Sequence, residues 1–316
     1  MRHGWLWLRR REGSVLLFLA LFLLYMRWAE PRFFSAQHFQ DLLMNSAYTA
    51  LAATGMTCVI VAGQIDISIG SMLAVCAVVA GKLAKQGLPL AGVTLATLAV
   101  GAALGAVNGL LVAYAGVPAI ITTLGMLSIL RGAMIWVTKG YWIRDLPPEF
   151  YRLGEGTFWG VPYPLWLAGG MALGMSVLLA HTPWGRHLYA VGGHPQGALR
   201  AGIPIQRIWW QVFVLCGVMV GLASLVYASR FTVIQSNAGE GFELLVITAV
   251  VVGGTNIFGG QGSVGGSILG VLLLSTLSSA MTFLHVDPYW ERTVQGTLIL
   301  LAILSDRLRG WGGSPP

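Results

Sequence analysis

Charge is what this sequence has least of: 10% of its 316 residues are Asp, Glu, Lys or Arg, whereas 56% are hydrophobic. A soluble domain carries roughly a quarter charged residues, so a water-facing surface could not be covered from this composition. Lysine is confined to Lys82, Lys85 and Lys139, and none sits in a GxxxxGK(S/T) phosphate loop, which excludes ATP hydrolysis by the chain itself. HExxH and GxSxG are missing too, which removes the usual zinc-protease and serine-hydrolase signatures. Cys58, Cys76 and Cys216 lie inside apolar stretches without CxxC spacing, so they are expected as small buried residues, not disulfides or metal ligands. The histidines do not cluster, and neither a metal nor another cofactor is expected.

What is present is a succession of long apolar runs. They are continuous rather than alternating, which argues against a β-barrel and for an all-α membrane protein. A bilayer core of about 30 Å needs roughly 20 apolar residues per helix, which allows about ten crossings here. The runs predict spans at Ser14–Ala29 and at about 42–62, 67–84, 89–114, 119–138, 162–180, 208–229, 243–258, 264–285 and 292–306. A cleaved signal peptide is the alternative for the first run, but no small-x-small site follows it at Trp28-Ala29-Glu30-Pro31, so a retained span is expected. Ten crossings put both termini in the cytoplasm, together with a loop at 181–207 that carries Arg186, Arg200 and Arg207 and no acid. Lys82 and Lys85 fall on the opposite side, against the positive-inside trend. The net charge of +7 follows this topology and is not a nucleic-acid patch, since no basic stretch is interleaved with aromatics.

Two segments resemble each other. Val59–Gly63 leads to Asp66, Ser68 and Gly70-Ser71; Val250–Gly254 leads to Asn256 and Gly262-Ser263, in register after a gap of one or two residues. A diverged repeat of broken helices is a recurring transporter design, with the breaks at the pathway. Asp66, Ser68, Ser71 and Asn256 are therefore the candidate pathway or gate residues. A second expectation for Asp66, compatible with the first, is that its carboxylate caps the next helix. Arg131, near the middle of the fifth span, needs a buried acceptor, and an ion pair with Glu243 is expected, with Asp66 and Glu240 as other acids in reach of the argument. Gly101, Gly105 and Gly109 repeat at the spacing that permits close helix packing. In the loop, Pro195 starts and Gly202 stops a short helix holding Gln196, Ala198, Leu199 and Arg200, with Ile203 beyond. A short basic helix on the cytoplasmic side is a natural docking element for a motor subunit.

Four ordered motifs carry a family resemblance. Gly63–Ser71, Asn108–Tyr114 with Pro118 to Gly132, Gly185–Ile203, and Glu243–Gly266 resemble the signatures of permeases in the ABC-type monosaccharide importers for ribose, xylose and galactose. The segments Trp136–Pro147 and Trp290–Arg292 look closest to the rhamnose and autoinducer-2 subgroups. The resemblance implies a helical bundle of the type II importer kind, pairing with a second permease, itself or a paralogue. It further implies separate ABC ATPase subunits docking around Pro195–Ile203 and an extracytoplasmic sugar-binding protein. Gln64, His194 and Gly197 depart from the usual glycine, asparagine and alanine. A proton- or sodium-coupled carrier using Asp66 is the rival from another class, and a membrane enzyme is a more distant one.

Overall fold

The computed structural model describes residues 11–310 apart from 232, 236 and 288. The first five helices are α1 (Arg11–Ala29), α2 (Ala36–Val61), α3 (Ile69–Lys85), α4 (Leu90–Ala113) and α5 (Ala119–Thr138). Short α6 (Pro148–Glu155) and a two-residue hairpin, β1 (Thr157–Phe158) with β2 (Val161–Pro162), then lead into α7 (Tyr163–His181). After it come α8 (Pro183–Gly193), α9 (Pro195–Arg200), α10 (Ile205–Arg230), α11 (Phe242–Val252), α12 (Val264–Phe283) and α13 (Trp290–Gly310).

Six of these, α2, α4, α5, α7, α10 and α12, are long and apolar enough to cross a membrane by length and composition. α2 is buried over almost its whole length, whereas α4, α5 and α7 bury less than a third of theirs. The bundle is thus built around α2, and the outer helices turn Leu95, Ile121, Ile129 and Leu173 outward, each more than 60% exposed. Side chains so apolar face hydrocarbon, not water. α10 lies against α4 backbone to backbone: a Cβ on Gly101 would overlap the Gly217 carbonyl, and one on Gly105 the Phe213 carbonyl. The four-residue glycine spacing does the packing work it predicted.

The bundle has two distinguishable ends. At one, Lys85 Nζ donates to the Arg144 carbonyl at 2.9 Å, Ile143 bridges Ile234, and α6 packs on the last turn of α10 through Gly154 and Ser229. Lys82 reaches the Val137 carbonyl there at 3.2 Å, so these two lysines, out of place by the charge rule, satisfy carbonyls at and after the end of α5. Trp28, Trp136, Trp159 and Tyr289, each at least three-quarters exposed, lie at or beyond helix ends, where aromatics favour a membrane–water interface. The other end is formed by α8 and α9, the loop after α2 and the loop after α11.

Two expectations change. The stretch 243–258 is not a full crossing: α11 has 11 residues, about 16 Å at 1.5 Å per residue, half of what a bilayer core needs. The chain covers the remaining depth as a loop. It leaves Ile234 at the α6 end, passes Ala238 and Gly239 inside the bundle, and starts α11 at Phe242, which stacks on Tyr48 in the middle of α2. The stretch 181–207 is not one short helix in a loop but two helices in series. Thr182 accepts from Gly185 N at 3.2 Å with Pro183 in the first turn, a start signal for α8 that a hydropathy reading passes over.

Candidate functional site at the broken helices

The two look-alike segments end their helices in the same way. After α2, Gly63 N bonds the Ile60 carbonyl at 2.9 Å and Gln64 N the Val59 carbonyl at 3.0 Å. After α11, Gly254 N bonds the Val251 carbonyl at 2.9 Å and Thr255 N the Val250 carbonyl at 3.2 Å. Gly63 and Gly254, at φ 76° and 99°, occupy the left-handed position this stop requires. The repeat is geometric as well as sequential, and the second copy carries one extra residue before its Gly-Ser pair.

In the first copy, Asp66 is fully buried. Its Oδ1 accepts from Ser68 N at 2.9 Å and Ser68 Oγ at 2.6 Å, and its Oδ2 from Asn108 Nδ2 of α4 at 3.3 Å. Asn108 Nδ2 also donates to Ser68 Oγ at 2.8 Å, while Asn108 Oδ1 is buried without a partner. The carboxylate therefore serves Ser68, the residue flanking α3, and ties the break to α4, rather than reaching the first-turn amides of α3 as an N-cap would. Asn108 was not singled out as a site residue, although it opens the second motif; nothing in one sequence says which asparagine faces Asp66. Ser71 joins a different element, donating to the Leu127 carbonyl of α5 at 3.0 Å.

In the second copy, Asn256 organises a turn: its Oδ1 accepts from Phe258 N at 3.0 Å and its own N–H bonds the Gln261 carbonyl at 2.9 Å. Ser263 caps α12, accepting from Gly266 N at 2.9 Å.

Arg131 is near enough to Glu243 for the two charges to act on each other, but they are not among the described ion pairs. Arg131 Nη1 donates to the Ala238 carbonyl at 2.7 Å, so the guanidinium holds the descending loop by its backbone. A loop inside a bundle carries unpaired carbonyls, and a cation is a good donor to one of them. The next residue, Gly239, lies on Gly70 of α3 so closely that a Cβ on either would meet the other's carbonyl. Glu243 packs on Gly70 as well, and its Oε2 is buried without a hydrogen-bond partner. The described ion pairs, Arg32–Glu30, Arg230–Asp41 and Arg292–Glu240, lie toward the α6 end.

Beside this junction is a cavity of about 650 Å³ lined by Tyr48, Phe242, Glu243, Glu240, Arg292 and Gln295 among others. Ile67 reaches its wall, but Asp66 and Asn256 do not line it.

At the opposite end, α8 clamps both breaks. A Cβ on Gly192 would overlap the Val61 carbonyl and crowd Gly260 N, and Gly260 N itself bonds the Val61 carbonyl at 2.9 Å. Tyr189 Oη donates to the Gly262 carbonyl at 2.8 Å, and Trp209 Nε1 to the Ala62 carbonyl at 3.1 Å. α9 follows directly: Pro195, Gln196, Ala198, Leu199 and Arg200 lie in it, Gly202 turns at φ 78°, and Ile203 N closes on the Ala198 carbonyl at 3.0 Å. Ala198 is buried and Leu199 is 64% exposed, so one face is anchored and the other free. The two departures from the family pattern here explain each other. A Cβ on Gly197 would press on the His194 ring, so the larger residue at 194 goes with the smaller one at 197.

A polytopic α-helical bundle with two broken helices, and an exterior helix, α8, packed on both breaks, is the architecture of a membrane permease. Residues 39–303 match the family described as branched-chain amino acid transport system / permease component, and the chain belongs to that family. It is 36% identical over 304 residues to the ribose import permease protein RbsC of Escherichia coli (strain K12), covering 95% of this chain and 94% of the relative. It is 35% identical over 300 residues to the autoinducer 2 import system permease protein LsrC of Yersinia pseudotuberculosis serotype O:1b, covering 95% and 86%. The LsrC of Salmonella typhi is equally similar, at 35% over the same length. No solved structure matches. The chain is a permease component of a transport system.

Proposed function

We propose that the chain forms half of the translocation channel of an ATP-driven importer for a neutral monosaccharide, paired with a second permease that is itself or a paralogue. Ribose and rhamnose are the first sugars to test, given relatives named for ribose and autoinducer 2. An extracytoplasmic sugar-binding protein delivers the sugar at the α6 end, where the interfacial aromatics lie. Two ABC ATPase subunits dock at the α8–α9 end, which is cytoplasmic together with both termini. Arg186, Arg200 and Arg207 without an acid between residues 182 and 207 support that orientation.

One observation carries the reading: the exposed α9 is continuous with α8, and α8 holds the ends of both broken helices. Force applied by a motor at α9 thereby reaches both breaks. In this reading Asp66, Ser68, Ser71 and Asn256 set the shape of the gate without touching sugar, and Arg131 fixes the descending loop. Replacing Gln196–Arg200 by a Gly/Ser stretch tests it. Membrane insertion is expected to persist while ATPase co-purification and uptake are lost; normal co-purification and uptake would sink the assignment.

A further inference from the structure

Lys82 and Lys85 lie on the side of the bundle that the charge rule disfavours, and one carbonyl each does not answer their charge. An ammonium has three N–H donors, so a single bond to a carbonyl leaves the others, and the whole positive charge, unmatched. Spaced three residues apart, the two lysines share a face of the last turn of α3. Lys82 Nζ donates to the Val137 carbonyl, and two residues further on Lys139 closes α5 at φ 52°. Lys85 Nζ donates to the Arg144 carbonyl, and the Arg144 guanidinium lies over the Trp142 ring, 5.2 Å from its centroid. Lys82, Lys85, Lys139 and Arg144 are thereby gathered at one corner of the bundle, all of them exposed.

The chain brings little to neutralise them. The segments that carry them, 82–89 and 139–147, contain one acid, Asp145. Helix α6, which follows, adds Glu149 and Glu155 with Arg152 and packs on α10. None of the four cations belongs to an ion pair among the described residues, where the pairs are Arg32–Glu30, Arg230–Asp41 and Arg292–Glu240. Their depth points to the missing counter-charge. Trp136 and Val137 stand on the outer face of α5, a helix long and apolar enough to cross a membrane, and are 81% and 47% exposed. An ammonium held at the Val137 carbonyl is therefore level with the edge of the hydrocarbon-facing surface, where phospholipid phosphates begin. Lipid already covers that face, whereas a protein partner would have to reach down to it.

We propose that Lys82, Lys85, Lys139 and Arg144 bind the headgroup of an anionic phospholipid whose acyl chains lie along the outer face of α5 beside Trp136. The phosphodiester supplies the negative charge and acceptor oxygens for the remaining lysine donors, and the planar guanidinium of Arg144 can meet two of them at once. Because Lys82 and Lys85 also hold the end of α5 and the segment after it, the bound lipid fastens α3, α5 and residues 139–147 to one another. The site is independent of the solute that the permease carries.

The test places the full chain, with bimane on Trp136→Cys, in bilayers of phosphatidylethanolamine with a minority of phosphatidylglycerol. Cys58, Cys76 and Cys216 are buried, and wild type treated in parallel is the blank. A nitroxide high on the acyl chain is carried by one lipid or the other at equal mole fraction, so quenching reports which of them sits beside α5. One engaged cation is worth about a fivefold preference, so phosphatidylglycerol is expected to be favoured at position 136 by about fivefold or more at low salt. The preference is expected to shrink as salt is raised. Bimane on Trp159→Cys, in the charge-free segment 156–180, is expected to meet both lipids equally. Changing all four cations to glutamine, which keeps a donor for each carbonyl, is expected to reduce the preference at 136 to the level at 159. Equal quenching by the two lipids at 136 in the protein with its native cations overturns the proposal, as does a preference that is indifferent to salt or equally strong at 159. These comparisons stand even if the glutamine variant does not fold; a preference that survives in a folded one also refutes the site. If phosphatidylglycerol is not favoured while the same four substitutions abolish capture of the extracytoplasmic sugar-binding protein, the patch is a protein dock and the lipid assignment is wrong.

Discussion

Gly192→Ala isolates the link between the exterior helices and the breaks. Gly192 closes α8 with a helical backbone, so alanine is locally favourable there by about 1 kcal/mol. Against that, the new methyl would overlap the Val61 carbonyl and lie 2.8 Å from Gly260 N, both of them backbone atoms that cannot rotate away. Relief requires α8 to move off the two loops, and overpacking of this kind typically costs about 1–3 kcal/mol. The contact term equals or exceeds the propensity term, so α8 is expected to separate from both breaks without unfolding. Gly193→Ala is the control, because its methyl meets only the Gly260 Cα at 3.7 Å, an ordinary contact. In proteoliposomes, Gly192→Ala should retain ATPase binding and ATP turnover while sugar moved per ATP falls roughly tenfold, the equivalent of about 1.4 kcal/mol in the coupling equilibrium. Gly193→Ala should match wild type. Equal transport per ATP in both variants would refute the idea that α8 transmits through this contact.

Other substitutions test the remaining junctions. Asp66→Asn retains an acceptor for Ser68, and a flip of Asn108 can offer its unpartnered Oδ1 to the new amide, so a loss of about 1 kcal/mol and substantial uptake are expected. Asp66→Leu leaves Ser68 N, Ser68 Oγ and Asn108 Nδ2 without their acceptor, at about 1–3 kcal/mol each where unrelieved, and should lower folded yield in a detergent thermal-stability assay. Equal loss in both variants, with wild-type uptake abolished by an uncoupler in ATP-loaded vesicles, would favour a proton-coupled carrier instead. Arg131→Leu removes the anchor on Ala238, a charged hydrogen bond of about 1.5–3 kcal/mol, and should reduce uptake and thermal stability together; unchanged values would show that the descending loop needs no anchor. Gly197→Ala should weaken ATPase co-purification by displacing His194, and adding His194→Asn should restore it. Failure of the double variant to improve on the single one would break the proposed linkage between 194 and 197.

How much of this was legible in the sequence follows from the range of the forces involved. Helices α1 to α5, α7, α10, α12 and α13 each lie on one of the apolar runs, because burial in hydrocarbon is decided residue by residue and leaves a one-dimensional trace. The glycine spacing on α4 was legible for the same reason, since it is a property of one helix face. α11 was overestimated because the span was carried across Gly253-Gly254-Thr255-Asn256 to Ile257 and Phe258, whereas the helix stops at Val252; hydropathy records the medium around a residue, not its backbone conformation. α8 was missed because its amphipathic face is too polar for a span, and only Thr182-Pro183 marks its start. The partners of charges were the least legible. Arg131 was matched to an acid because acids stand out in a sequence, whereas its acceptor is the Ala238 carbonyl, a group every residue possesses.

That last point bears on what the broken helices are for. A repeat in which both copies stopped their helices only for packing would need no cation on a descending loop, and no unpaired acid below it. Here the first copy is fully satisfied around Asp66, Ser68 and Asn108 apart from one amide oxygen, and it meets the 650 Å³ cavity through Ile67, not through Asp66. Beyond the second copy's helix start, Glu243 buries its Oε2 against Gly70 of α3 without a hydrogen-bond partner. The same helix stop thus serves two ends: one copy builds a rigid wall, and the other a half-helix whose first turn faces the cavity. α8 holds the far end of both, so a displacement of α8 acts on the two breaks together.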